Sequence, residues 1–400
     1  MGSLGVAQPF GLIWVLALVV LLLLGLTGVA RSAELPLDYP PTTSAQGSPS
    51  GSWTVVAPTG REAGQVLSPA GIALDSQGNL FVTDREYNRV EQREPSGGWS
   101  LTATGWDPDT GLWPGAPMPP KPIPAGRVWT PWGVTVDSAG NLYLAEAADW
   151  ELSRIQMRDG QGHWSVLATF GEEPGQVVYP TSVVVDGAGN LYVADWGTSR
   201  VQVRSREGNW SVLASLGTEV GLVREPKALA LDREGNLYVA DTSNYRIQKR
   251  TPAGDWSVVA SWESEPVDHY QPWGLAVDAA GGLYVSLVAP NAKSVLRRLD
   301  PSGAVTDVAT QGTGLGQVRF PQGLAIGTDG SLYVADWGNQ RVQKLMATSR
   351  AFADVDGNGS VGLEDALLVL RYCLDLSSLT PDEIQAADAN GDGVVSIADV

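Results

Sequence analysis

The chain of 400 residues carries 44 acidic and 26 basic side chains, a formal net charge of −18. That balance excludes nucleic acid as a partner, because binding phosphates requires a cationic surplus. The single cysteine, Cys373, excludes an internal disulfide.

Residues 10–30 are almost wholly apolar, and small residues follow at Gly28, Ala30, Ser32 and Ala33 before the chain turns polar. This predicts a secretory signal over residues 1–33, with cleavage near Ala30 or Ala33. No Lys or Arg precedes the apolar run. Its length of about 20 residues also fits a retained membrane anchor. Either reading places the rest of the chain outside the cytoplasm. Residues 34–50, rich in Pro, Ser and Thr, read as a flexible linker.

Six copies of one pattern fill residues 51–347. Each opens on a proline (Pro69, Pro131, Pro180, Pro226, Pro272 and Pro321) and a short apolar run. A turn of the Asp-x-x-Gly-Asn type follows, then Leu-Tyr-Val-Ala-Asp, Arg-Val-Gln-x-Arg and Trp-Ser-Val-Leu-Ala. The clearest copy runs from Pro180 to Ala214. Four strand-like segments in about 45 residues are the pattern of a propeller blade. The turn glycines permit the positive φ of tight hairpins. The second strand is apolar on both faces, as expected where sheets pack on both sides. The third alternates, as in Val201-Gln202-Val203-Arg204, which predicts one face in solvent. The fourth begins with Trp99, Trp164, Trp210 or Trp256, and these rings are expected to pack at the outer edge. The sixth copy ends near Met346 without such a strand, whereas Trp53-Thr54-Val55-Val56-Ala57 stands before the first copy. The N-terminal strand is therefore predicted to complete the last of six blades, which leaves no open edge in the ring.

These copies resemble NHL repeats. The resemblance implies an all-β, six-bladed NHL β-propeller with an Asp–Arg pair in each blade. The matching residues are Asp84 with Arg89, Asp195 with Arg200, Asp241 with Arg246, and Asp336 with Arg341. The second blade keeps the pair as Glu146 and Arg154. The fifth has Ser286 and Ser294, so both members are lost together. Joint loss fits a structural pair, because one buried charge left alone is costly.

Residues 351–400 form a different module, with ten acidic residues and one arginine. Asp354, Asp356, Asn358, Ser360 and Asp365 occupy positions 1, 3, 5, 7 and 12 of an EF-hand-type loop, with Gly359 at position 6. Asp388, Asn390, Asp392, Val394 and Asp399 repeat the pattern around Gly393. Position 7 ligates through its carbonyl, so Ser360 and Val394 are both admissible there. The spacing wraps hard oxygen donors around Ca2+. Paired loops that each end in Asp and lead into a helix resemble a type I dockerin. The resemblance implies a small α-helical dockerin-like calcium module and a cohesin-type scaffold protein as partner. A helix is expected after Asp399, so the module reads as truncated at Val400.

In a propeller, the loops that enter the first strands and those between second and third strands share one face. Trp132 and Trp273 follow leading prolines there, with Ala70, Thr181, Lys227 and Gln322 in the same position. Tyr87, Trp150, Trp196, Tyr245 and Trp337 come from the second-to-third loops. A long loop, residues 107–127, adds seven prolines and Trp113. Long loops on a rigid ring are where function concentrates. Exposed aromatics would offer flat platforms to a glycan or a peptide, whereas rings packed between blades would be structural.

Two functions compete. One is a secreted or surface-attached binding or adaptor protein, presented through its calcium tail. The other is an extracellular carbohydrate-active hydrolase or lyase using the propeller channel. Some NHL-like propellers are metal-dependent lyases with histidine ligands. This chain has only His163 and His269, too few for a three-histidine site. A carboxylate pair stays open, because spatial pairing is invisible in sequence. The binding reading is favoured.

Overall fold

The computed structural model describes residues 52–105, 123–148, 151–262, 269–289, 293–346 and 368–369. The N-terminal segment, Trp150, most of the proline-rich loop and every expected calcium ligand lie outside the described residues.

The strands form six blades around a central channel, each of four antiparallel strands, with a short parallel fifth strand in two of them. Blade 3 shows the plan: Pro180–Val185, Leu191–Asp195, Arg200–Arg204 and Trp210–Ala214, hydrogen-bonded in that order. Blade 6 takes its fourth strand from the N-terminal end, as expected. Trp53–Ala57 pairs antiparallel with Arg341–Leu345, with Trp53 opposite Leu345 and Ala57 opposite Val342. The Met346 N–H donates to the Ser52 carbonyl at 3.0 Å, so the ends of the ring meet.

The hairpins follow from local chemistry. The Asp186 carboxylate accepts the N–H groups of Ala188 and Asn190 at 2.9 and 2.8 Å, and the Asn190 side chain at 2.8 Å. Gly189 closes this turn at φ 87°, which a side chain would resist. The Tyr192 hydroxyl donates to the same Asp186 at 3.1 Å. A tyrosine can therefore sit in a strand packed on both sides, with its polar tip satisfied. Neighbouring blades pack face to face. Tyr143, Ile155 and Ala168 of blade 2 meet Val183, Leu191 and Val193 of blade 3. Near the channel the approach is closer still. A Cβ on Gly133 would lie 2.9 Å from Ser182 Cα, which accounts for the Pro-x-Gly pattern.

The third strand corrects the sequence reading. Its alternation does not put one face in solvent, because Gln202 is fully buried. The ladder shifts register beside it, between Val201 and Gln202. The same irregularity recurs beside Gln156, Gln248, Glu91 and Arg297. Such a bulge re-aims a side chain. Gln202 here accepts the Gly175 N–H at 3.0 Å and donates to the Gln176 carbonyl at 2.8 Å.

Each Asp–Arg pair belongs to the same knot. Asp195 accepts the Val178 N–H at 2.8 Å and Arg200 Nε at 3.0 Å. Arg200 then reaches the carbonyls of Glu172 and, at 2.8 Å, Gln176. One buried ion pair thus fastens the loop from blade 2 onto blade 3. The pairs at Glu146, Asp241 and Asp336 close at 3.0, 2.7 and 2.9 Å, and Asp84 lies 3.8 Å from Arg89.

Blade 5 requires a second correction. The register places Leu287 opposite Pro272 and Val295, so Leu287 and Val295 hold the pair's positions. Ser286 instead matches Thr83: their hydroxyls accept Gly274 N–H and Gly71 N–H, both at 2.7 Å. Ser294 matches Ser199, and each hydroxyl accepts a backbone N–H of the next loop, at 3.0 and 3.1 Å. The charged pair is replaced by an apolar one, which is the inexpensive way to lose a buried ion pair.

Two predictions follow from the knots. Arg200→Ala leaves Asp195 buried without its cation and should cost about 3–5 kcal/mol in urea unfolding. Asp195→Leu with Arg200→Val should cost less than its two single changes summed, because the pair acts as a unit. Additivity would show that the pair is not coupled. The second prediction concerns Glu91, which stands where four blades carry glutamine. Burial pushes its carboxyl up to about 7, against the pull of Arg89 at 2.7 Å. Between about pH 4.5 and 7 the native state keeps a proton that the unfolded state has lost, so stability falls as pH rises. Glu91→Gln should remove that slope and leave the variant more stable at pH 8, by on the order of 1–3 kcal/mol. Parallel stability–pH curves for the two proteins would refute the assignment.

Candidate functional site

The six first strands line a channel of about 270 Å³. Its mouth is set by the residue after each leading proline: Ala70, Trp132, Thr181, Lys227, Trp273 and Gln322. Below them the wall is small or aliphatic, from Gly71 and Gly133 down to Leu74, Val184, Leu231 and Ile326. Lys227 is the one titratable side chain in this wall among the described residues.

The sequence candidates occupy different parts of this face, and the described ones are half-buried. An arc of aromatics runs round half the mouth. Trp337 meets Phe320 edge-on at 5.7 Å, and Phe320 lies 6.4 Å from Trp273. Lys227 Nζ sits 4.0 Å over the Trp273 ring and 5.8 Å from Trp196. Trp196 meets Tyr179 edge-on at 5.8 Å. On the other side the Arg85 guanidinium lies 3.8 Å over Trp132. Tyr87 and Tyr245 do not join the arc. Tyr87 stands 4.9 Å from the Arg89 guanidinium, and Tyr245 lies 5.7 Å from the exposed His269 ring. His163 is at the outer edge, bonded to Asp159 at 3.1 Å. The fourth-strand tryptophans pack as expected. In five blades the incoming loop lays a glycine on the ring, as Gly175 on Trp210 and Gly316 on Trp53.

Sequence reasoning missed Arg85, Tyr179 and Phe320. Arg85 directly follows Asp84, as Trp196 follows Asp195 and Trp337 follows Asp336. Aligning those loops would have found it. Tyr179 and Phe320 precede leading prolines, with φ 53° and 48°. The left-handed backbone there is uncommon for a bulky side chain.

Two cations stand at the mouth, each with a glutamate near enough to act on it. Burial lowers Arg85 to about 10, with Glu86 pulling the other way. Burial lowers Lys227 to about 8; Glu225 opposes the shift and Arg85 adds to it. Among the described residues neither cation has a carboxylate within 4 Å. Arg85 Nε and the indole N–H groups of Trp196 and Trp273 are buried without a hydrogen-bond partner. Among the described residues, no three of His, Cys, Asp and Glu gather as a metal site.

Comparison with known proteins fits this architecture. The NHL repeat matches residues 178–203, 224–249 and 318–345. The dockerin type I domain matches residues 352–400. The chain is thus a six-bladed β-propeller with NHL repeats in three places, followed by a dockerin type I match. No curated protein matches the chain. Among solved structures, a gluconolactonase from Xanthomonas campestris is 17% identical, with a TM-score of 0.53, over 78% of this chain and 96% of that one. A putative gluconolactonase is 15% identical, with a TM-score of 0.51, over 74% and 92%. A streptogramin B lyase is 15% identical, with a TM-score of 0.50, over 74% and 97%. At these identities the likeness is one of fold.

Proposed function

We propose that this is an extracellular binding or adaptor protein that displays the mouth of its ring and is attached through its dockerin. The single observation that carries the reading is the aromatic arc around a mouth with unpaired donors. Polar groups beside aromatic rings in a concavity are the mark of a ligand site. The topology supports display. Trp53, Leu345 and Leu332 are register partners at the end of the blade away from Pro321 and Asp336. The ring therefore begins and ends on the side opposite its mouth.

The tail supplies the attachment. The side chains of Asp354, Asp356, Asn358, Asp365, Asp388, Asn390, Asp392 and Asp399, with the carbonyls of Ser360 and Val394, are hard oxygen donors suited to Ca2+. The type I dockerin match favours a cohesin-type partner and an extracellular setting. No helix among the described residues is long and apolar enough to cross a membrane.

The enzymatic reading draws on the printed activities of the lyase and gluconolactonase propellers. It is the weaker one here, because the channel wall brings no carboxylate pair together among the described residues.

Two outcomes are expected. On glycan and peptide arrays, Trp132→Ala and Trp273→Ala should each lower ligand binding about tenfold or more, since each ring holds a cation in place. Unchanged binding in both variants would remove the mouth as the site. In calorimetry, Ca2+ should bind the full chain, and a chelator should abolish capture by a cohesin domain. No heat with Ca2+, or capture indifferent to chelator, would eliminate the tail as the attachment.

A further inference from the structure

We infer that the mouth is a receptor for one carboxylate group on a sugar-sized ligand, a uronate, held between Arg85 and Lys227. The inference rests on the reading that the mouth binds a ligand, and it names the class.

The aromatic rings are not free platforms. Arg85 lies 3.8 Å over Trp132 and Lys227 lies 4.0 Å over Trp273, so a face of each ring is already taken by a cation. The rings hold the cations, and the cations address the ligand. The two come from blades 1 and 4, on opposite sides of a six-bladed ring. Trp132, Trp273 and Lys227 all line the channel, so the guanidinium over Trp132 and the ammonium over Trp273 stand at one mouth. Arg85 repels Lys227, and Glu225 outweighs that repulsion but forms no ion pair with Lys227 among the described residues, so both cations remain open to an anion between them. Buried donors left unpaired need an explanation, and Arg85 Nε with the Trp196 and Trp273 indoles provides three. A carboxylate accepts from several such donors at once.

The surroundings narrow the anion further. The chain has a net charge of −18, which repels a polyanion at long range. A singly charged group meets less of that repulsion. The channel of about 270 Å³ lies just below the usual range for a ligand pocket and suits one ring better than a peptide strand. Trp196, Trp337 and Phe320 beside the mouth add apolar surface that a sugar ring can meet.

The test is calorimetry on the full chain with glucuronate and galacturonate as probes. Glucose, galactose and a tetraglutamate peptide are the comparisons. Both uronates should bind at least about tenfold tighter than the neutral sugars, and added salt should weaken them. Arg85→Gln and Lys227→Gln should each cost about tenfold or more. Affinity should fall between pH 7 and 9 as Lys227, facing Glu225 and Arg85, loses its proton. Unchanged melting temperatures in the Gln variants show that the ring is intact. A thermal shift caused by uronate, absent in Lys227→Gln, reads the same site without heats.

Neutral sugars binding as tightly as uronates would overturn the inference. So would tighter binding of tetraglutamate, or uronate affinity indifferent to both Gln changes. If a ligand from the arrays still depends on Trp132 or Trp273 in those cases, only the charge assignment falls. If no ligand depends on either ring, the mouth itself is not a site.

Discussion

Each charged blade turns on a carboxylate buried among backbone N–H groups and one arginine. Asp195 shows the arrangement, with Val178 N–H and Arg200 on its two oxygens. The arginine continues to the carbonyls of the preceding loop, so a connection between sheets becomes part of a core. Desolvating both charges is expensive, and it is tolerated because hydrogen bonds satisfy most of the remaining donors and acceptors. The knots also position the functional face. Arg85, Trp196 and Trp337 each follow the buried Asp by one residue. Lys227 lies three residues after Arg224, whose N–H is bonded to Asp241 at 2.6 Å. The mouth is therefore built beside the knots.

Much of this was legible in the sequence. Blade number, turn chemistry and ring closure follow from recurring residues, because each motif solves a local problem that recurs six times. The third strand was misread for a physical reason. A bulge beside Gln202 breaks the two-residue period, and a glutamine that looks solvent-facing turns in to bind the loop. Blade 5 was misread because serines near the expected positions stood in for a register that only pairing reveals. The face was legible as a set of positions but not as a site. Which rings converge depends on distances between blades, and sequence carries no measure of those.

The mouth also shows how aromatic side chains can serve a cation. An indole face stabilises a buried guanidinium or ammonium that lacks a carboxylate neighbour. Trp132 and Trp273 do this for Arg85 and Lys227. A carboxylate in their place would neutralise each charge and leave nothing to offer a ligand. The result is a small cationic spot within a strongly acidic chain. Local and overall charge thus act at different ranges.

The seam between Trp53–Ala57 and Arg341–Leu345 has a mechanical consequence. Its strands are antiparallel, and the chain enters and leaves at the same end of that ladder. Tension applied between the two ends would peel the seam one pair at a time rather than shear all its bonds together. A wheel held by its tail alone puts no load across the seam. A wheel pulled from both ends would open there first, at Trp53 and Leu345.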